Sequence, residues 1–327
     1  MAIHRNQNGD IDMTFKDDVD KGLSAPFKYL LSRYFYDACG DKLFQDIMHM
    51  PEYYLTDAEH EIFSEQGKHI LKAVQHDGTG FDLVEFGAGD GLKTRILIKR
   101  MVEEKADFRY LPIDISGDVL QALKFELSLE FPDLEVIPEH AEYFTALHNI
   151  SKRSGRTKLV LFLGSSIGNF AEDRTVSFLN VLNEKLNSGD RVMIGFDLKK
   201  DPEVILRAYN DEAGITASFN MNVLRRINRE LGGNFDLDKF KHFPTYNPES
   251  GFARSYLVST DAQEISIEAL GKSFAFAKGE CIHTEISRKY SIPQIEKLLT
   301  DTGFTVQEHF LDKRGYYVDT LAEKKPQ

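Results

Sequence analysis

Residues 81–91 read Phe-Asp-Leu-Val-Glu-Phe-Gly-Ala-Gly-Asp-Gly, an apolar run that ends in three closely spaced glycines. The run Phe81–Phe86 predicts a buried strand, and the apolar spacing of Leu92–Val102 predicts a helix directly after it. Glycines at such a turn allow a tight backbone bend and let a ligand approach the amides at the helix start. The segment therefore predicts a βα unit with a ligand-binding loop.

The alternation of strand and helix continues along the chain. Near-continuous apolar strands separated by helices indicate a parallel sheet that is covered on both faces. Further strands are predicted at Tyr110–Ile115, Leu134–Ile137, Leu159–Leu163 and Val192–Phe196, with helices at Asp118–Leu129 and Thr175–Leu186.

The C-terminal residues return to this pattern. Ser291-Ile-Pro-Gln294 has the spacing of a capping box at the start of a helix. After it, Phe304–Leu311 and Tyr316–Leu321 flank a turn at Asp312-Lys-Arg-Gly315, which predicts an antiparallel hairpin. We therefore expect an α/β fold with a doubly wound sheet whose C-terminal edge is antiparallel.

Two regions interrupt the alternation and predict a second domain. Residues 1–60 are helical in pattern and rich in aromatic residues, and residues 200–288 carry turn signals between helix-like and strand-like runs. The expected layout is one domain at 61–199 and 289–327, with a second domain assembled from 1–60 and 200–288. A length of 327 residues is consistent with two domains.

Composition excludes several classes of function. The 52 acidic residues exceed the 40 basic ones, and a net charge of −12 argues against binding to nucleic acid or to an anionic membrane. Cys39 and Cys281 form no CxxC pair, which argues against a zinc site or a redox dithiol. The N-terminus lacks the apolar region that a secretory signal would have. The sequence contains no stretch of 18 apolar residues, so no membrane-spanning helix is predicted. We expect a soluble cytoplasmic protein.

An acidic residue at the end of the next strand accompanies the glycine loop. Asp114 follows Gly91 by 23 residues, where a carboxylate accepts the hydroxyls of a ribose. A dinucleotide site requires GxGxxG, whereas the spacing here is GxGxG after Glu85. That spacing resembles motif I of the S-adenosylmethionine (SAM)-dependent methyltransferases. The alternative is that the glycines only form a tight turn.

A second motif favours a different class. Gly164-Ser-Ser-Ile-Gly168 matches the GxSxG pattern of a hydrolase nucleophile elbow, with Ser166 as nucleophile and His283 or His309 as its base. An elbow needs a helix that starts almost at the serine, but the helical pattern resumes only near Arg174. A serine hydrolase is therefore a remote alternative, and a catalytically silent ligand-binding module is another.

Metal chemistry is not predicted. His60-Glu61 begins like the zinc motif HExxH, but Ser64 occupies the position of the second histidine. The ten histidines show no ligand spacing.

Several segments together resemble one known family, the histidine-specific Nα-methyltransferases, which make hercynine in ergothioneine biosynthesis. The resemblance runs from about residue 25 to the C-terminus. It implies a Rossmann-like class I methyltransferase sheet, a second α+β substrate-binding domain, SAM as cofactor and an amino acid as substrate. The segments that carry it are Tyr34–Gly40, Leu43-Phe44, Met50–Tyr54, Glu85–Gly89, Leu111–Ser116, Phe162–Phe170, Ala208–Gly214, Asn228–Leu231 and His283–Ser287.

The resemblance also implies residue roles. Asp114 would bind the ribose, and Glu142 and Tyr143 would lie beside the adenine. We expect Tyr53 and Asn169 to be the catalytic positions. An amine must lose a proton before it attacks, and a nearby tyrosine hydroxyl, amide or ordered water could relay it; Tyr53 is our candidate, from the chemistry rather than from the resemblance. The other cofactor positions are Tyr36, Gly87, Gly89 and Lys93, and the substrate positions are Phe44, Tyr53, Gly164, Ser166, Asn169, Tyr209, Ser255, Glu285 and Ser287.

Two positions depart from the family pattern. Glu142-Tyr143 stands where the family usually has Asp-Phe, and Ser255 stands where members often place a Met over the substrate ring. A smaller residue enlarges the pocket, so another aromatic amino acid or amine is the alternative substrate. The function implied is transfer of up to three methyl groups from SAM to the α-amino group of L-histidine. We expect a monomer.

Overall fold

The computed structural model describes residues 13–74 and 80–325, and these form two compact units. One contains the described residues up to Tyr54 together with Lys200–Ser287, and the other contains Leu55–Lys199 and the described residues from Arg288 onward. The predicted cut after residue 60 falls inside a helix, α3 (Tyr54–Val74), whereas the units part at the start of that helix. Residues 1–12 of the predicted second domain lie outside the described residues.

The larger unit is built on a seven-stranded sheet. Its interior strand β1 (Phe81–Phe86) pairs in parallel with a strand on each side, so that Val84 is in register with Leu111 and Val160. The sheet order is β11-β12-β5-β4-β1-β2-β3. The remaining strands are β2 (Phe108–Asp114), β3 (Glu139–His140), β4 (Thr157–Phe162), β5 (Arg191–Asp197), β11 (Phe304–Leu311) and β12 (Tyr317–Lys324).

Helices cover the faces of this sheet, which explains why its strands are apolar along their whole length. All six residues of β1 and the last six of the seven in β5 are buried. α10 (Ile292–Asp301) starts with the predicted capping box between Ser291 and Gln294. The other helices of this unit are α4 (Leu92–Glu103), α5 (Gly117–Glu130), α6 (Tyr143–Arg153) and α7 (Glu172–Lys185).

The predicted doubly wound α/β sheet with a C-terminal antiparallel hairpin is confirmed. β12 runs antiparallel to both β5 and β11, with a register shift between Val306 and Glu308. One predicted strand is wrong. Residues 134–137 form only an isolated bridge between Val136 and Tyr110, and the paired strand is β3. Pro138 lacks a backbone N–H and interrupts the ladder between the two.

The smaller unit has the predicted α+β character. Its three-stranded sheet has the order β10-β7-β6, and a separate hairpin pairs β8 with β9. The burial of β7 alternates, which places Ser255 and Leu257 on its buried face. The elements are α1 (Met13–Ser24), α2 (Ala38–Met48), α8 (Pro202–Ala208), α9 (Ile215–Leu231), β6 (Phe240–Asn247), β7 (Phe252–Ser259), β8 (Gln263–Ile267), β9 (Lys272–Phe276) and β10 (Cys281–Arg288).

A core of aromatic and aliphatic side chains fills the smaller unit. α9 presents Phe219, Val223 and Ile227 to it, and α1 contributes Phe15 and Val19. Arg226 lies on the same helix but is almost fully buried, because its guanidinium donates to the backbone oxygens of two residues before α2 and pairs with Glu230. Among the described residues, no helix combines the length and the apolar character needed to cross a membrane.

Candidate functional site

The turn between β1 and α4 contains three glycines whose backbone conformation favours glycine. Gly87, Gly89 and Gly91 have φ angles of 68°, 54° and 66°, in the left-handed region that other residues rarely adopt. A Cβ atom on Gly87 would lie 2.8 Å from the hydroxyl of Tyr143, whereas a Cβ on Gly89 would meet nothing within 4 Å. The turn is therefore closed at Gly87 and open above Gly89.

Asp114 lies at the end of β2, directly beside this turn. Its Oδ2 accepts a hydrogen bond from the Gly89 amide at 3.3 Å, and its Oδ1 accepts one from the Ser116 amide at 2.9 Å. The carboxylate is thereby held at the carboxyl end of the parallel sheet, where doubly wound proteins bind their ligands. The glycine turn and this acid form the arrangement predicted for a nucleoside ligand.

Tyr143 and Glu142 lie at the start of α6. The ring of Tyr143 stacks on that of Phe86, with centroids 4.8 Å apart and planes 4° from parallel. Burial, and then the negative charge of Asp114, raises the pKa of the Tyr143 hydroxyl to about 12. Glu142 is exposed at the N-cap position and does not cap the helix with its side chain. Tyr143 thus closes one side of the turn, and the Glu142 carboxylate faces solvent.

The loop after β4 holds the serines of the GxSxG pattern. Gly164 and Ser165 have φ angles of 69° and 54°, and a short 3-10 turn runs over Ser166–Asn169. Ser166 Oγ donates to the backbone oxygen of Leu163 at 2.9 Å. Asn169 is exposed at the end of that turn.

The contacts of this loop argue against a hydrolase. A nucleophilic serine gives its proton to a histidine, but the Ser166 hydroxyl donates to a backbone carbonyl. One suggested base, His309, pairs instead with Thr320 Oγ1 at 3.0 Å and with Glu296 at 3.4 Å. The other, His283, lies in the smaller unit, where its ring contacts that of Tyr256.

Lys93 is held by a buried carboxylate that the sequence reasoning missed. Its Nζ lies 2.7 Å from Glu59 Oε2, and a Cβ on Gly164 would lie 3.3 Å from the same Nζ. Glu59 is fully buried on α3, where its neighbours at helical spacing, Ile62 and Phe63, are also buried. An acid on the apolar face of a predicted helix is the signal that could have identified it.

Glu85, the acid before the glycine turn, is also buried. It accepts hydrogen bonds from the hydroxyls of Thr94, at 2.5 Å, and Tyr110. Burial raises the pKa of its carboxyl to about 7, although both hydrogen bonds act in the opposite direction. Glu85 therefore ties β1 to β2 and to α4 beneath the loop.

In the smaller unit, Tyr36 and Phe44 belong to an aromatic cluster around Phe219. The Tyr36 ring lies 5.6 Å from that of Phe44 and 5.3 Å from that of Phe219, both edge-on. Arg226 fixes the backbone here by donating to the Tyr36 carbonyl oxygen at 3.0 Å. Burial, and then the charge of Glu285, raises the pKa of the Tyr36 hydroxyl above its usual range.

Ser255 and Glu285 lie on neighbouring strands of the same unit and contact each other. Ser255 Oγ donates to Glu285 Oε2 at 3.2 Å, and Ser255 is fully buried while Glu285 is half-buried. Thr284 ties the two strands together further by donating to the Ser255 carbonyl oxygen at 3.1 Å. Ser287, two residues beyond Glu285, is buried at the end of the same strand.

Tyr53 and Tyr209 lie at the ends of short segments of this unit. Tyr53 is half-buried against the aromatic core, and Tyr209 is 9% exposed after the last residue of α8. A cleft of about 500 Å³ is lined by residues between 46 and 52 and between 211 and 215, next to both tyrosines in the sequence. Neither tyrosine lines that cleft.

Metal chemistry has no support in the described ranges, 13–74 and 80–325. No group of three or more His, Cys, Asp or Glu side chains there could hold an ion. His60, which begins the incomplete zinc motif, contacts the hydroxyl of Ser64 at 3.3 Å.

Comparison with known proteins agrees with these features. The Histidine N-alpha-methyltransferase of Mycolicibacterium smegmatis is 35% identical over 308 residues, which cover 93% of this chain and 93% of that protein. The Ergothioneine biosynthesis protein 1 of Neurospora crassa is 26% identical over 302 residues, covering 89% of this chain and 32% of that protein. The L-tryptophan methyltransferase of Psilocybe serbica is 26% identical over 322 residues, covering 91% of this chain and 89% of that protein.

A family model assigns the chain directly. The family described as histidine-specific methyltransferase, SAM-dependent, matches residues 15–324, nearly the whole chain. That match includes both compact units. The chain therefore belongs to the family of SAM-dependent, histidine-specific methyltransferases.

Proposed function

We propose that this protein transfers methyl groups from SAM to the α-amino group of L-histidine, up to three times, and so forms hercynine for ergothioneine biosynthesis. The observation that best supports histidine as the substrate is the carboxylate of Glu285. It is half-buried and receives a hydrogen bond from Ser255, and the resemblance to the family implies that it binds the imidazole. A carboxylate there accepts a hydrogen bond from a ring N–H and selects for side chains that can donate one.

The residues of the larger unit fit SAM. A turn closed at Gly87 and open above Gly89 leaves room for a ligand, and the Asp114 carboxylate beside it suits a ribose. When bound, SAM supplies a methyl group that is activated by the positive charge on sulfur. We assign cofactor binding to Gly87, Gly89, Lys93, Asp114, Glu142 and Tyr143 of this unit, and to Tyr36 of the smaller unit.

The chain's own residues then have two tasks, to orient the amine and to remove its proton. Methyl transfer is an in-line displacement, so the rate depends on how the amine is aligned. The α-amino group of an amino acid is largely protonated near neutral pH and must lose a proton before it can attack. We assign the relay of that proton to the Tyr53 hydroxyl.

Repeated transfer to one nitrogen requires that the two ends of the substrate stay fixed while the head group grows. We assign binding of the amino acid's carboxylate and amine to Asn169, Tyr209 and Tyr53. We assign binding of its ring to Glu285 and Ser287. Phe44, Gly164, Ser166 and Ser255 complete the substrate set. A charged group at one end and a ring N–H at the other make L-histidine the best match to these residues.

A different aromatic amino acid is the second candidate substrate, because Ser255 is smaller than the Met common at this position. One relative is named an L-tryptophan methyltransferase. An indole also carries one N–H that can donate to a carboxylate. The contact of Ser255 with Glu285 favours histidine, because it holds the carboxylate in place rather than leaving an enlarged apolar pocket.

We also propose that the protein acts as a cytoplasmic monomer on this small molecule and not on nucleic acid or membranes. The net charge of −12 supports the exclusion of polyanions. Light scattering after size-exclusion chromatography tests the monomer, and a dimer would contradict it.

The function is tested by incubating the purified protein with SAM and L-histidine and following the product by mass spectrometry. The expected result is successive gains of one, two and three methyl groups on the α-nitrogen, located by fragmentation. A reaction with S-adenosylhomocysteine in place of SAM is the control. Histidine that gains no methyl group would contradict the proposal.

A further inference from the structure

Glu59 connects three segments of the larger unit through one carboxylate. Its Oε2 lies 2.7 Å from Lys93 Nζ, and its Oε1 accepts hydrogen bonds from the Gly164 amide at 2.8 Å and from the Tyr317 hydroxyl at 2.7 Å. Tyr317 in turn accepts a hydrogen bond from the Ser165 amide at 2.8 Å. Helix α4, the loop after β4 and strand β12 are therefore held together by a single acid on α3.

Burial makes this arrangement sensitive to the loss of any partner. Glu59 is fully buried, whereas the Lys93 side chain is 26% exposed, so one end of the ion pair reaches solvent and the other does not. A buried charge that loses its partner strongly destabilises the arrangement that holds it. The ammonium of Lys93 is thereby fixed beside Gly164, at the same end of the sheet as the glycine turn.

A second buried acid interacts electrostatically with Glu59. Asp319 on β12 is fully buried and its two oxygens have no hydrogen-bond partner among the described residues. Burial, and then the charge of Glu59, raises the pKa of Asp319 well above its usual range. Asp319 therefore holds its proton in the folded protein, and the Lys93 ammonium pairs with Glu59.

We infer that Glu59 is a positioning residue for cofactor binding, which acts by fixing the Lys93 ammonium and the Gly164 amide. This inference rests on the proposed function, since it takes Lys93 to contact SAM. Glu59 itself contacts side chains and an amide of the protein, and acts through them. Lys93 carries three donors, and the bond to Glu59 sets the direction in which the other two point.

The test uses Glu59→Gln, Lys93→Met and the double variant, with Glu65→Gln as matched control. Glu65 lies on the same helix but is exposed, and it pairs with Lys313 at the surface. Binding of SAM is measured by calorimetry, and KM is measured separately for SAM and for histidine. Circular dichroism confirms that each variant is folded.

We expect Glu59→Gln to weaken SAM binding by about tenfold, equal to about 1.4 kcal/mol. Its KM for histidine should stay unchanged, and the double variant should bind SAM no more weakly than Lys93→Met alone. A merely structural role would lower the folded fraction or kcat and leave the KM for SAM as it was. Glu59→Gln protein that binds SAM like the wild type would overturn the inference, as would additive losses in the double variant.

If Glu59→Gln does not fold, the SAM affinity of Lys93→Met tests the inference. Wild-type affinity for SAM in that variant would overturn the inference, and a loss of about tenfold would support it. Wild-type protein that binds no SAM would instead contradict the proposed function. The two failures are therefore distinguishable.

Discussion

The hydroxyl of Ser255 lies 3.2 Å from Oε2 of Glu285 and donates a hydrogen bond to it. The two residues come from adjacent strands, β7 and β10, and Ser255 is fully buried. A hydrogen bond to a carboxylate stabilises its charged form and limits its rotation. A methionine at this position would have no proton to donate, so this hydrogen bond to Glu285 requires the hydroxyl of Ser255.

The first prediction concerns that hydrogen bond. Ser255→Ala should raise the KM for histidine about fivefold, because a typical hydrogen bond contributes about 1 kcal/mol. The affinity for SAM, measured by calorimetry, should not change. Ser273→Ala is the control, since Ser273 is exposed and its hydroxyl contacts that of Ser266 across the β8–β9 hairpin. An unchanged KM for histidine in Ser255→Ala would show that Glu285 does not depend on this contact.

The second prediction concerns Glu285 itself. Glu285→Ala should lower kcat/KM for histidine by about 100-fold, because the ring N–H then loses its charged acceptor. Calorimetry should show SAM binding close to that of the wild type. An equal loss of histidine turnover and of SAM binding would contradict a role for Glu285 in substrate binding and would indicate a structural role.

The third prediction compares two glycines of the same turn. Both Gly87→Ala and Gly89→Ala place a side chain in the left-handed region, which costs about 1–2 kcal/mol. Only Gly87→Ala also brings a methyl group to within 2.8 Å of the Tyr143 hydroxyl. In denaturant unfolding without cofactor, Gly87→Ala should therefore be the less stable of the two.

Tyr143→Phe provides the matched test of that comparison. It removes the hydroxyl that the new methyl group would meet, so it should recover part of the stability lost in Gly87→Ala and none of that lost in Gly89→Ala. Equal free energies of unfolding for the two alanine variants would contradict the close packing of Tyr143 on the turn.

The fourth prediction is a pH dependence due to Glu85. Its pKa in the folded protein, about 7, lies above the ordinary value of 4.5, so the folded state binds the proton more tightly than the unfolded state. The contribution of Glu85 to stability therefore falls as pH rises from about 4.5 to about 7, by about 3 kcal/mol in total, and levels off above that range.

Urea unfolding of the wild type and of Glu85→Gln across this pH range measures the effect. The difference between their free energies of unfolding should shift in favour of the variant as pH rises. Asp319 also has a raised pKa, but it is present in both proteins and largely cancels in the difference. A difference that is constant with pH would mean that Glu85 titrates normally.

Local patterns predicted the elements around the glycine turn of the larger unit well. The segment Phe81–Gly91 combines a buried strand, a glycine turn and a helix start within a few residues, and β1 and α4 form as expected. Asp114 lies at the end of a strand, as predicted, and the parallel pairing of β1 with β2 brings its carboxylate to the Gly89 amide. The predicted strand at 134–137 failed where Pro138 interrupts the ladder.

Contacts between residues that are far apart in the chain could not be predicted from the sequence. The partners of Glu59 lie 34, 105 and 258 positions further along the chain, so no local periodicity connects them. Ser255 could be identified as a departure from the family pattern, but its bond to Glu285 depends on the pairing of β7 with β10. Such pairings are set by tertiary packing, which a single sequence does not display.

The central claim, histidine-specific N-methylation, is tested most directly by competition. Equal concentrations of L-histidine, L-tryptophan, L-tyrosine and L-phenylalanine are incubated with the protein and limiting SAM, and the methylated products are quantified by mass spectrometry. We expect methylated histidine to exceed each other product by about 100-fold, the discrimination that a site built around a hydrogen-bonded ring can reach. Methylation of tryptophan at an equal or greater rate, or of none of the four, would contradict it.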